Sequence, residues 1–279
     1  MRLIAVFRAA GLRFSADGCA FAAQAIAFNA LFAVFPLAIL AIAALGFVYG
    51  SQEAQAKAAA LFATVAPGIQ DILMENLHQL VNARSIWGVI AVVTLAWSGK
   101  NLFQALAYAL NRTLGIPQGR PLIGDILVSL VTLPVLALLL LVATALPIGL
   151  SIAVQLGGFA RSGMVAQIAG YATGFALIFT VSALLYTYLP NHRAALTFGI
   201  PGALFTAVSW EIAQIAFGIY TTHVNFFHVY GAVATFAVLL LWFYYMGIIF
   251  LFGAELSAQW AEARRASGRE GGIESLKTA

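Results

Sequence analysis

Charge is what this sequence has least of. Lys, Arg, Asp and Glu make up 9% of its 279 residues, where a soluble domain carries about a quarter. So few charges cannot cover a water-facing surface. With 62% hydrophobic residues and a mean hydropathy of +0.95, lipid must solvate most of the chain, which excludes a soluble enzyme, a disordered protein and a secreted disulfide scaffold. Cysteine is nearly absent: Cys19 stands alone, so neither an internal disulfide nor a multi-cysteine metal site is possible. The sequence also lacks a GxxxxGK[ST] phosphate loop, an HExxH helix and a GxSxG elbow. His78, His192, His223 and His228 are scattered, and no carboxylate cluster suits a divalent metal. The expectation is therefore no enzyme, no catalytic residue, no metal and no cofactor.

What remains is long apolar runs. Residues 18–52, 126–160, 162–192, 194–210 and 212–254 carry no charge, and 85–99 runs on past Lys100 to Leu114. A bilayer core of ~30 Å needs about 20 apolar residues per helix. The runs predict an all-α polytopic bundle with six spans at about 21–48, 86–110, 124–156, 163–189, 195–219 and 231–258. The last charge-free run is too long for one helix, and Thr221-Thr222-His223-Val224-Asn225 divides it. The first apolar stretch, preceded by Arg2, Arg8 and Arg13, is about twice the length of a signal h-region and reads as a retained span.

Basic residues set the orientation. With the N-terminus inside, Arg2, Arg8, Arg13, Lys100, Arg112, Arg120, Arg193, Arg264, Arg265, Arg269 and Lys277 lie inside, against Lys57, Arg84 and Arg161 outside. This places both termini in the cytoplasm. The same rule accounts for the basic residues without nucleic acid as a partner.

Three segments read as interfacial. Residues 2–16 combine Leu3, Ile4, Phe7 and Leu12 with three arginines, the pattern of an amphipathic helix on an anionic leaflet or of a solvated positive flank. Residues 52–84 hold two amphipathic patterns split by Pro67-Gly68, a helical hairpin on the outer side. Residues 261–279 form a charged, Gly-rich cytoplasmic tail expected to fray.

Polar groups inside the spans are the candidate site. Trp97, Asn101, Gln104, Tyr108 and Asn111 fall within about 80° of one another at 100° per residue, with Lys100 bordering the stripe. Either they wall a water-filled cavity or the helix leaves the membrane there. In the fifth span Gly199, Ala203, Ala207, Glu211, Gln214 and Gly218 share a small, polar face that packs on protein, while Phe205, Val208, Ile212, Ile215 and Ile219 face lipid. Glu211 is a proton or substrate site, or a structural carboxyl. Glu255 lies level with Arg112, where a structural ion pair is expected. Gly46/Gly50 and Gly170/Gly174 have the spacing for close helix contact, and Pro190-Asn191-His192-Arg193 reads as a tight inner turn.

Segments 17–46 (DGCAFAAQAIAFNALFAVFPLAILAIAALG), 94–116 (TLAWSGKNLFQALAYALNRTLGI), 184–220 (LLYTYLPNHRAALTFGIPGALFTAVSWEIAQIAFGIY) and 229–260 (VYGAVATFAVLLLWFYYMGIIFLFGAELSAQW) carry, in order, the pieces FPL, ALNR, YLPN, WE, YGA and GAEL. Together they resemble the YihY/BrkB family of bacterial inner-membrane proteins. The resemblance implies a six-helix, multi-pass plasma-membrane protein and supplies no mechanism. The older label for this family, ribonuclease BN, does not suit a chain with no soluble domain, no metal ligands and no RNA-stacking surface. Two functions compete, with an intramembrane enzyme third because no paired catalytic groups appear at helical spacing. The first is a transporter or exporter of an unidentified, lipid-linked or other envelope substrate. The second is a non-transporting envelope assembly protein with a protein partner or a second copy of itself. Membrane lipid is a partner in either case.

Overall fold

The computed structural model describes residues 2–48, 86–116, 163–191, 196–223 and 226–277. The expected third span, 124–156, and the outer hairpin, 52–84, lie outside the described residues. Among the described residues there are six helices and no strand: α1 Arg2–Ala16, α2 Cys19–Val48, α3 Ile86–Thr113, α4 Gly163–Tyr188, α5 Leu196–His223 and α6 Phe226–Lys277. Of these helices, α1 is the one that lies outside the six expected spans. Three helices contain stretches long and apolar enough to cross a membrane: Tyr171–Tyr188, Phe198–Tyr220 and Phe236–Ala266. A fourth crossing is possible if α1 and the first half of α2, bent by 70°, count as one broken span.

Glycines in the left-handed region punctuate two helices. Gly18, at φ 65°, ends α1 and makes the elbow to α2. Its carbonyl then accepts the Phe21 and Ala22 N–H groups at 3.0 and 3.2 Å, which starts α2. Gly115, at φ 63°, closes α3 in a Schellman turn, with Ile116 N–H donating to Asn111 O at 2.8 Å and Gly115 N–H to Arg112 O at 3.1 Å. A side chain at either glycine would be strained.

Packing follows from the small residues. α2 packs on α3 and α4 on α5, and α6 joins the two pairs by packing on both α2 and α5. One apolar cluster gathers Phe103, Leu110, Leu185, Tyr186, Ala203 and Ala254 from α3, α4, α5 and α6. A second gathers Cys19, Ala23, Ile26, Ala109 and Leu251 from α2, α3 and α6. At the α5–α6 crossing, a Cβ on Gly202 would overlap the Gly253 carbonyl oxygen, and one on Gly253 would overlap the Thr206 hydroxyl. Only glycine allows such an approach. At the far end of α5, Trp242 is fully buried between Phe217 and Trp210, at ring-centroid distances of 4.5 and 5.8 Å.

α5 carries the two faces its sequence indicates. Gly199, Ala203 and Ala207 are buried, whereas Val208, Ile212, Ile215 and Ile219 are exposed. Phe205 departs from that pattern: it packs on Phe7 of α1 and Phe252 of α6, with centroids 5.9 and 5.1 Å away. The reason is α1, which lies across this part of the bundle through Val6, Ala10 and Leu256 and covers a ring that would otherwise meet lipid.

The tail also departs from expectation. Rather than fraying from Glu262, α6 continues as helix to Lys277. Residues 258–266 are dominated by Ala, Glu, Arg and Gln, which favour helix. Glu262 pairs with Arg13 at 3.8 Å, and the Arg264 guanidinium lies 5.9 Å from the Trp260 ring centre. The 52 residues of α6 would span about 78 Å at 1.5 Å per residue, far more than a bilayer core.

Candidate functional site

Three groups of polar side chains lie among these apolar helices. The first is Glu211. Its position on the packing face of α5 aims it at α4, and a Cβ on Gly174 would come within 3.1 Å of Glu211 Oε1. Gly174, the second glycine of the expected contact pair, is therefore the space that admits the carboxyl. The other oxygen, Oε2, is buried and has no hydrogen-bond partner among the described residues. Gln214, one turn on, is half-buried and does have a polar or ring contact.

The second group ties α4, α5 and α6 together. The Tyr186 hydroxyl donates to the Phe250 carbonyl at 2.6 Å and lies 2.8 Å from Thr206 Oγ1. Gly202 N–H donates to Ser257 Oγ at 3.0 Å, just after Pro201, which offers no N–H of its own. Tyr186, Thr206 and Ser257 are all buried. None stood out in the sequence, because a hydroxyl within an apolar helix declares no partner until the neighbouring helix is placed.

The third group lies where the α1–α2 elbow meets α6 and the end of α3. Glu255 is completely buried. Cys19 Sγ–H donates to Glu255 Oε1 at 3.6 Å, and Cys19 Sγ lies 3.8 Å from Thr113 Oγ1. Asp17 stands at the elbow two residues before Cys19, and its Oδ2, like Glu255 Oε2, is buried with no hydrogen-bond partner among the described residues. Arg112 is not the partner of Glu255. Among the described residues the ion pair within 4 Å joins Arg13 to Glu262, and Arg112 is exposed with its guanidinium beside Gly18. The cause is helical phase: Thr113 turns into the junction, so Arg112, 100° away, turns out.

The polar stripe of α3 divides in the same way. Asn111 and Ser98 are buried, Lys100, Asn101 and Gln104 are half-buried, and Trp97 and Tyr108 are exposed. α3 packs on α2 and α6, whereas α5 packs on α4 and α6, so Lys100 and Glu211 belong to different helix pairs. Asn111 acts as a fastener between helices. Its Oδ1 accepts the Asn191 N–H at 2.8 Å, which holds the turn after α4 to the end of α3. Asn111→Leu should leave that N–H unpaired and cost roughly 1–3 kcal/mol. Thermal unfolding in detergent would show the loss.

Apolar helices joined through glycine contacts, with carboxyls held between them, define a polytopic helical membrane protein. Within that class, a family model described as virulence factor BrkB matches residues 10–275, and the chain belongs to this family. It is 27% identical over 238 residues to the UPF0761 membrane protein PSHAa0171 of Pseudoalteromonas translucida, covering 84% of this chain and 78% of that one. It is 30% identical over 205 residues to the ribonuclease-like protein YfkH of Bacillus subtilis, covering 69% of this chain and 73% of YfkH. Against a UPF0761 membrane protein of Xanthomonas oryzae it is 26% identical over 254 residues, 90% of this chain but 60% of that longer protein. No solved structure matches.

Proposed function

We propose that this protein is a transporter or exporter in the bacterial inner membrane, with both termini cytoplasmic and an envelope or lipid-linked molecule as substrate. The observation that carries this reading is Glu211: a carboxyl on the packed face of an apolar helix, set against a glycine, with one buried oxygen lacking a partner among the described residues. Ionisable groups inside a membrane are costly and mark substrate or ion paths by default. The reading is non-enzymatic and requires no cofactor and no nucleic acid. Purified protein in proteoliposomes, offered a panel of ions, solutes and lipids, tests it. Flux that depends on Glu211 supports transport. No flux of any member would favour the assembly reading, in which an envelope protein or a second copy is the partner.

Orientation has its own test. In a background lacking Cys19, cysteine at His223 should react with a membrane-impermeant thiol reagent added outside, and cysteine at Asn191 should not. Outside labelling at 191 would overturn the assignment of cytoplasmic termini.

A further inference from the structure

The group at the α1–α2 elbow is built differently from the Glu211 site. Two carboxyls from opposite ends of the chain converge on this elbow: Asp17 stands two residues before Cys19, whose thiol bonds Glu255, and each carboxyl has a buried oxygen without a hydrogen-bond partner among the described residues, Asp17 Oδ2 and Glu255 Oε2. Glu255 is fully enclosed, away from bulk water. An ionised carboxylate only accepts hydrogen bonds, so two of them in contact repel unless something positive lies between them. No guanidinium or ammonium lies within ion-pair distance of either carboxyl among the described residues. Arg13, on the helix that leads into Asp17, reaches Glu262 instead, and Arg112 of α3 sits beside Gly18. The remaining groups facing the pair are neutral donors, the Cys19 thiol of α2 and the Thr113 hydroxyl of α3, while the Tyr186 hydroxyl of α4 is spent on Phe250 and Thr206. Nor does any trio of His, Cys, Asp or Glu among the described residues have the arrangement to hold a metal ion.

We infer that Asp17 and Glu255 form a proton-binding site, a carboxyl pair that holds one proton between the elbow of α1 and α2 and the buried face of α6. The shared proton turns a repulsive contact into a hydrogen bond, as in other pairs of carboxyls that cannot both ionise. The position gives the proton a mechanical consequence. Asp17 is the residue before Gly18, the hinge of the 70° bend, so loss of the proton drives the elbow away from α6. Cys19, bonded to Glu255 Oε1 and the sole cysteine, reports on the pair from within.

The test is infrared difference spectroscopy on the full-length protein in lipid nanodiscs at neutral pH, in a Glu211→Gln background that removes the other carboxyl with a buried, unpartnered oxygen among the described residues. A carbonyl stretch of a protonated carboxylic acid should be present and should vanish in Glu255→Gln. In Asp17→Asn, whose amide can donate a hydrogen bond but cannot share a proton, the same band should shift or vanish. Absence of the band from the Glu211→Gln protein would overturn the proposal, and so would an unchanged band in Asp17→Asn, because Glu255 would then hold its proton alone. A second measurement needs no carboxyl variant at the pair. The S–H stretch of Cys19 should shift as pH rises, at the same pH at which the carbonyl band is lost, and an S–H band that ignores that loss would also overturn it.

Discussion

Replacing Gly202 by alanine should be among the most damaging single changes in this protein. The added Cβ would fall on the Gly253 carbonyl oxygen and crowd the Ser257 hydroxyl. A flexible side chain could turn aside, but a backbone carbonyl within a helix cannot. α5 and α6 would have to separate, and with them would go the Gly202 N–H bond to Ser257 and the contact of Tyr186 with Thr206. Overpacking in a close-packed interior costs about 1–3 kcal/mol and occasionally more. The lost hydrogen bonds add roughly 1 kcal/mol each. The expected sum, about 3 kcal/mol or more, should show as sharply reduced accumulation in the membrane and a lower Tm in detergent. Gly253→Ala should behave alike, since its Cβ would meet Thr206, Tyr186 and the Gly202 carbonyl. Gly218 of the same helix is the control. Nothing lies within 4 Å of a Cβ built there, so Gly218→Ala should be neutral or stabilise by up to about 1 kcal/mol. Equal tolerance of alanine at 202 and 218 would mean that the two helices do not cross at Gly202.

The largest effect on activity is expected at Glu211. Glu211→Gln keeps the size of the side chain opposite Gly174 and removes only its ability to gain and lose a proton or hold a cation. The variant should fold, reach the membrane and melt within about 0.5 kcal/mol of the parent, as substitutions that break no named interaction do, while flux in proteoliposomes falls to background. Glu211→Leu should fail differently. Its branched side chain would crowd Gly174 and should destabilise the α4–α5 contact by roughly 1–3 kcal/mol. Full flux in Glu211→Gln together with a destabilised Glu211→Leu would make Glu211 a structural carboxyl and remove the main support for transport through this site.

Several features were legible in the chain because they are local. Hydropathy is summed over neighbouring residues, so α2 to α6 lie where five of the six apolar segments were expected. The break at 221–225 coincides with the end of α5 at His223 and the start of α6 at Phe226. Helical phase separated buried Ala203 and Ala207 from exposed Ile212 and Ile215, because 3.6 residues per turn fixes which side chains share a face. The same reasoning placed Glu211 toward the bundle. It also misassigned Phe205, since periodicity finds the face of a helix without knowing that α1 lies over part of it.

What the sequence determined by itself was the solvent of the chain, the helical class and the small, polar face of α5. Those follow from transfer of apolar side chains into lipid and from backbone geometry, which every residue carries with it. Tertiary structure alone decided the partners. Glu255 was expected level with Arg112, yet it meets Cys19, 236 positions away, at the elbow between α1 and α2. Gly202 and Gly253 look like ordinary glycines in an Ala- and Gly-rich chain until α5 and α6 cross upon them. Such pairings depend on which helices become neighbours and at what phase, and that is settled by many weak contacts acting together rather than by the residues of any one segment.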